Sequence, residues 1–158
     1  MELEQMHLDS CQEAARLLSF AGRLPSYFQF MMEGKVKRFD TPWNNQVEKE
    51  IYVAAIRLTL KEYPGIEAYS FITEAWMASV DMRTQPELEH VAPRDRSDRE
   101  DVLLVMTRHR NGGEFFTKYL VEYDADGSTI VGPAQHLGNG HSEGFLGNLF
   151  EDYYSEVG

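Results

Sequence analysis

The spacing of apolar residues changes along the chain, and each change predicts an element. Leu8, Cys11, Ala15 and Leu18 recur at three- and four-residue steps, the spacing of one helix face. Ser10 and Glu13 have the form of a capping box, which would start this helix near Ser10, and Gly22 is a natural stop. Cys11 on that stripe is expected to be a small buried hydrophobe. Residues 24 to 40, LPSYFQFMMEGKVKRFD, are apolar as far as Met32 but have no clear period. A short helix after Pro25, stopping at Gly34, is preferred there over a strand. The basic cluster Lys35, Lys37 and Arg38 then falls in an exposed loop.

Thr41-Pro42 has the form of a helix start, with Thr as cap and Pro at the first helical position. Tyr63-Pro64-Gly65 is an equally clear stop. The helix between them carries two apolar stripes. One is Val47, Ile51, Ala54, Ala55 and Leu58; the other is Val53, Ile56 and Leu60. Two stripes predict a helix covered on two sides, one by a sheet and one by the first helix or a second subunit. Val53, Ile56 and Leu60 are assigned to self-association in a homodimer. The run IYVAAIRLTL is also rich in β-formers, so a strand is the competing reading.

From Glu67 the period shortens to two. EAYSFITEAWMASV reads as a long strand with Tyr69, Phe71, Ala75 and Met77 on one face and Ile72, Trp76, Ala78 and Val80 on the other. Both faces are largely apolar, which places it inside the sheet. Residues 81 to 100 form a long polar connection, a length usually associated with function or mobility. DVLLVMT is a strand, Asn111-Gly112-Gly113 a tight hairpin turn, and EFFTKYLVEY the return strand. Asp124-Ala125-Asp126-Gly127 is a second turn, and STIVGP a short strand whose Pro133 marks an edge or an end. Phe145, Leu149, Phe150 and Tyr153 suggest a short closing helical segment. The sum is an α+β fold: two main helices on an antiparallel sheet of three to four strands. One domain is expected over 1–158, mainly helical to residue 65, antiparallel strands over 66–135, then loop and short helix.

Composition narrows the functional classes. The chain has 158 residues, 42% of them hydrophobic, and a net charge of −11. From Asn111 onward one basic residue, Lys118, stands against eight acidic ones. Such a field disfavours direct binding to nucleic acid or to an anionic membrane. It suits a protein partner with a basic surface, for which Asp124, Asp126, Glu151 and Asp152 are the expected contacts. The single cysteine excludes an intramolecular disulfide and fits a reducing compartment. The start MELEQMHLDS lacks the basic and apolar regions of a signal peptide, and no apolar run approaches the roughly 20 residues that span a bilayer. A cytoplasmic protein is the expectation.

Candidate chemistry is sparse. Glu74 is the only charge between Ala68 and Val80, on a face shared with Ile72 and Trp76. Partial desolvation there would suit a general acid or base. A structural ion pair with Arg94, Arg96 or Arg99 is favoured over that role. EYDADGSTI resembles a calcium loop until its twelfth position, which is Pro133 where a bidentate Glu is required. His136 and His141 bracket LGNG at a spacing that fits neither a helical pair nor a finger, so no metal is expected. There is no phosphate-binding loop and no GxSxG elbow, so no cofactor is expected.

FITEAWM followed by a Pro-containing loop and an Asp-Arg-x-Glu-like lead-in resembles a loose group of small bacterial and phage proteins without assigned activity. The matching residues are Glu74, Ala75, Trp76, Pro93, Asp98 and Arg99, over about 35 residues. The last acidic position departs from the pattern, being Asp101 with Glu100 before it. The resemblance implies an architecture and a phage or mobile-element origin, not a chemistry. The functional expectation is a non-catalytic acidic protein-binding module, for example one that inhibits a host protein. The alternative is a small enzyme or ligand-binding protein centred on Glu74, Trp76 and the 81–100 loop.

Overall fold

A computed structural model describes residues 2–77, 100–137 and 149–150. The chain order is helix α1 (Leu3–Ala21), strands β1 (Tyr27–Met32) and β2 (Lys35–Asp40), helix α2 (Gln46–Glu62), then strands β3 (Ile66–Met77), β4 (Glu100–His109), β5 (Glu114–Tyr123) and β6 (Thr129–Leu137). The strands form one antiparallel sheet in the order β2-β1-β3-β4-β5-β6. The fold is α+β, as expected, but the sheet has six strands rather than three or four.

The two additional strands come from residues 27–40, where a short helix and a basic loop were expected. Helices cover both faces of the sheet, so β1 buries consecutive residues. Tyr27 packs with α1 residues, while Phe28 packs on the opposite side with Ile56 and Leu60 of α2. Burial on both faces removes the polar half of the alternation by which a strand is recognised. The turn is disguised too. Glu33 and Gly34 have φ of 53° and 73°. Two successive left-handed residues make the tight turn that suits a hairpin, a position usually taken by Asn or Gly rather than Glu. Pairing then runs from Met32↔Lys35 to Tyr27↔Asp40, and β1 pairs on its other side with β3.

Both helix starts differ from the expected capping motifs. α1 begins at Leu3, so Ser10 lies within the helix, where its buried hydroxyl donates to Gln29 Oε1 at 2.5 Å. Gly22 does stop α1: its φ is 82° and its amide donates to the Leu18 carbonyl. α2 starts behind Asn45, whose Oδ1 accepts from the Glu48 amide at 2.8 Å. Glu48 Oε2 in turn accepts from the Asn44 amide at 2.9 Å. The earlier Thr41 is buried and bonds to the Ser26 carbonyl through both its amide and its hydroxyl, tying the end of β2 to the start of β1. Tyr63 ends α2 as expected. Arg110, from the turn between β4 and β5, donates to the carbonyls of Leu60 and Ile66 at 3.0 Å, a cation on the negative end of the helix dipole.

The sheet lies between the two helices. On one face Cys11, Ala14 and Leu18 of α1 pack with Tyr27, Ile72, Leu103, Val105, Tyr119 and Val121. On the other, Ile56 and Leu60 pack with Phe28, Tyr69, Phe71, Val102, Leu104, Met106 and Phe116, and Val53 rests against the same cluster. The stripe Val53–Ile56–Leu60, assigned to self-association, is therefore the core face of α2. β3 lies in the sheet interior, and the Asn111–Gly113 and Asp124–Gly127 turns join strands where expected. The edges are β2, all of whose residues are exposed, and β6, which runs through Pro133. β5 and β6 shift register between Tyr119 and Val121. There a Cβ on Gly132 would stand 3.2 Å from the Leu120 carbonyl oxygen, a tight approach that favours glycine at the irregularity.

Candidate functional site

Glu74 is half-buried on β3, opposite Leu103, and its Oε2 accepts a hydrogen bond from the Leu24 amide at 2.8 Å. The carboxylate thus pins the connection between α1 and β1 to the middle of the sheet. The arginines expected to pair with it, Arg94, Arg96 and Arg99, lie outside the described residues, as does the 81–99 connection. The same holds for His141 of the two-histidine reading.

The densest polar constellation lies elsewhere, under the first half of α1. His7 stands buried between two threonines: Nδ1 is 2.7 Å from Thr107 Oγ1 of β4, and Nε2 is 2.7 Å from Thr117 Oγ1 of β5. Thr107 continues to Ser70 of β3 and Thr117 to His136 Nδ1 of β6, both at 2.7 Å. The series His136–Thr117–His7–Thr107–Ser70 crosses four strands. Each threonine hydroxyl donates once and accepts once, and a neutral imidazole donates from one nitrogen and accepts at the other, so every link is satisfied. His7 also stacks on Phe115, with ring centroids 5.5 Å apart.

Cys11 Sγ lies 3.5 Å from His7 Nε2, one helical turn away. The pair has the geometry of a nucleophile beside a base, but its electrostatics are the reverse. Burial pushes the Cys11 thiol up to about 11. Burial, reinforced by the neighbouring His136, lowers His7 to about 4. Near neutral pH both are uncharged, whereas a reactive cysteine needs a stabilised thiolate. Cys11 is the buried residue its position on the stripe suggests. Within the core of the fold, this arrangement sets the register of α1 on the sheet.

Sequence reasoning missed the arrangement because a period count treats His7 and Ser10 as surface residues. One signal was available. His7, Ser10, Cys11 and Ala14 fall on a single helix face, and Ser70, Thr107 and Thr117 interrupt otherwise apolar strands.

Two surface features remain. Asp124 and Asp126 are exposed in the turn between β5 and β6, where Asp124 Oδ1 accepts from the amides of Asp126 and Ser128. That carboxylate organises a hairpin turn rather than a helix-flanked calcium loop. The Thr129 hydroxyl beside the turn donates to the Gly22 carbonyl at the end of α1, whose last turn contains no basic residue. The acidic turn therefore adjoins the negative end of a helix dipole, with Arg23 the nearest basic residue in sequence. Glu151 and Asp152 lie outside the described residues. The second feature is the outer face of α2, where Val47, Ile51 and Leu58 are 66%, 64% and 55% exposed.

Among the described residues no three His, Cys, Asp or Glu side chains converge to hold a metal ion, and no helix is long and apolar enough to cross a membrane. Comparison of the chain with family models, with curated proteins and with solved structures found no match.

Proposed function

We propose that the chain is a non-catalytic module that binds a protein partner with a basic surface. The supporting observation is the acidic pole formed by the Asp124–Gly127 turn against the carbonyl end of α1. Glu122, Asp124 and Asp126 place three carboxylates within five residues there, all exposed. The groups best suited to chemistry are engaged internally instead: Glu74 holds a backbone amide, and Cys11 and His7 are buried and uncharged. A net charge of −11 steers basic surfaces toward the molecule and repels nucleic acid.

The reading is tested by affinity capture from the native source with the wild type, the double variant Asp124→Lys/Asp126→Lys, and Glu74→Gln. A basic protein retained by the wild type and by Glu74→Gln, weakened by the double variant and weakened by salt, would support it. Retention that is indifferent to charge reversal and to salt would refute it. Because Asp124 also organises its turn, an Asp124→Asn control keeps an acceptor for the turn amides while removing the charge.

A further inference from the structure

We infer that the outer face of α2 is a docking surface for a second copy of this chain, arranged as an antiparallel pair of α2 helices. The inference is independent of the acidic-pole reading, because it rests on another element and on apolar rather than charged residues.

Val47, Ile51, Ala54 and Leu58 follow steps of four, three and four residues. At 100° per residue these four positions fall within about 60° of one another around the helix axis. The core residues Val53, Ile56 and Leu60 lie on the opposite side. The outer stripe is narrow and averages about 3.7 residues per repeat, close to the 3.6 of a straight helix, so its four residues stay on one face along three turns. All four residues are exposed, the three large ones by more than half. Aliphatic side chains scattered over a surface need no explanation, but a contiguous stripe on a strongly charged molecule marks an interaction site.

The stripe is self-complementary in size. With two α2 helices antiparallel about an axis between residues 52 and 53, Val47 meets Leu58 of the second copy and Ile51 meets its Ala54. Each layer then sets a larger residue against a smaller one. A parallel pairing would instead set Ala54 against Ala54 and leave a gap between Ile51 and Leu58 layers. The antiparallel arrangement also aligns the two helix dipoles favourably.

Charge supports the same register. Glu50 and Arg57 flank the stripe on one side. In the antiparallel pair each Glu50 lies on the same side of the seam as Arg57 of the other copy, offset by about 3 Å along the helix axis, and symmetry repeats the match. Arg57 also interacts within its own chain, so this contribution is the attraction of opposed charges rather than a claim on a free guanidinium. Ala54 and Ala55 keep the centre of the seam small enough for close approach. One helix face supplies less than the roughly 800 Å² per partner of a standard interface, so the dimer is weak and reversible. Each copy carries a net charge of −11, so added salt strengthens the pair by screening their repulsion.

The test combines sedimentation over a concentration series with thiol cross-linking of the full chain. The wild type should move from monomer to dimer as concentration rises, and Ile51→Glu, a change at an exposed helix position, should stay monomeric with unaltered helical circular dichroism. Chains carrying Ile51→Cys mixed with chains carrying Ala54→Cys should link through a short bis-maleimide faster than either alone; Cys11 is buried and does not compete. Faster self-linking by Ala54→Cys would overturn the antiparallel arrangement. A wild type that is monomeric throughout would overturn the dimer. In that case rapid maleimide labelling of Ile51→Cys shows a face open to some other occupant, and slow labelling shows a face covered by the chain itself. None of these outcomes depends on Asp124 or Asp126, so this inference and the acidic-pole reading fail separately.

Discussion

His7 is the residue where fold and solution chemistry meet most directly. Its imidazole must be neutral to link Thr107 and Thr117 without a buried charge, and burial lowers its pKa from 6.5 to about 4. The folded state therefore binds this proton less readily than the unfolded chain. The stabilising contribution is fully present above pH 6.5, declines as pH falls from there toward 4, and is constant below. Its full size corresponds to about 3 kcal/mol at 1.36 kcal/mol per pH unit. Denaturant midpoints measured from pH 7.5 to pH 4 should fall more steeply for the wild type than for His7→Met, which fills the site but does not titrate. Parallel curves would show that His7 is not the titrating group. Little of this could be read from the sequence. Spacing identified Cys11 as buried but not its neighbour, because one histidine between two threonines requires two strands and a helix to be placed together.

Elements were legible where one face is wet, where a turn has characteristic chemistry, or where the interior run is long. β4 and β5 were recognisable because Asn111-Gly112-Gly113 announces their turn, and β3 because its apolar run is long. β1 and β2 were not, because both faces of β1 are covered and the turn places Glu33 at φ 53°. That strain leads to a prediction. Glu33→Asn should stabilise the protein by up to about 1 kcal/mol, since Asn tolerates the left-handed region better. Gly34→Ala, at φ 73°, should destabilise it by about 1 kcal/mol. Chemical denaturation of the two variants checks both signs, and the opposite order would mean that the turn adopts another geometry. The cap of α2 makes a similar contrast. Asn45→Ala should cost about 1 kcal/mol through loss of the bond to the Glu48 amide. Thr41, first read as that cap, instead fastens β2 to β1, so its substitution should loosen the hairpin and leave the α2 N-terminus intact.

At the scale of the molecule, a sheet between two helices leaves two edges and one helix face to be managed, and the chain treats them differently. The β6 edge contains Pro133, which offers no amide to an incoming strand. The β2 edge is wholly exposed and carries Lys35, Lys37 and Arg38. Read from sequence alone these three were a loop cluster; as an edge strand they have a specific role, because charged side chains keep an open edge from pairing with another sheet. Arg38 is additionally engaged, with its guanidinium 4.0 Å from the Tyr27 ring centroid and 2.6 Å from Asp40 Oδ1. Lys35 and Lys37 are therefore the cleaner probes. Replacing both by Thr, which favours strands, should leave the thermal midpoint nearly unchanged, because both side chains are exposed. It should nonetheless accelerate aggregation into thioflavin-positive material near that midpoint, despite making the net charge more negative. If solubility simply followed net charge, the double variant would aggregate more slowly than the wild type, and the protective role of the β2 lysines would be rejected. A third variant, Ile51→Glu, separates the two association routes: it should dissolve the α2 pair without affecting edge-driven aggregation, because the stripe and the edge strand belong to different elements of the fold.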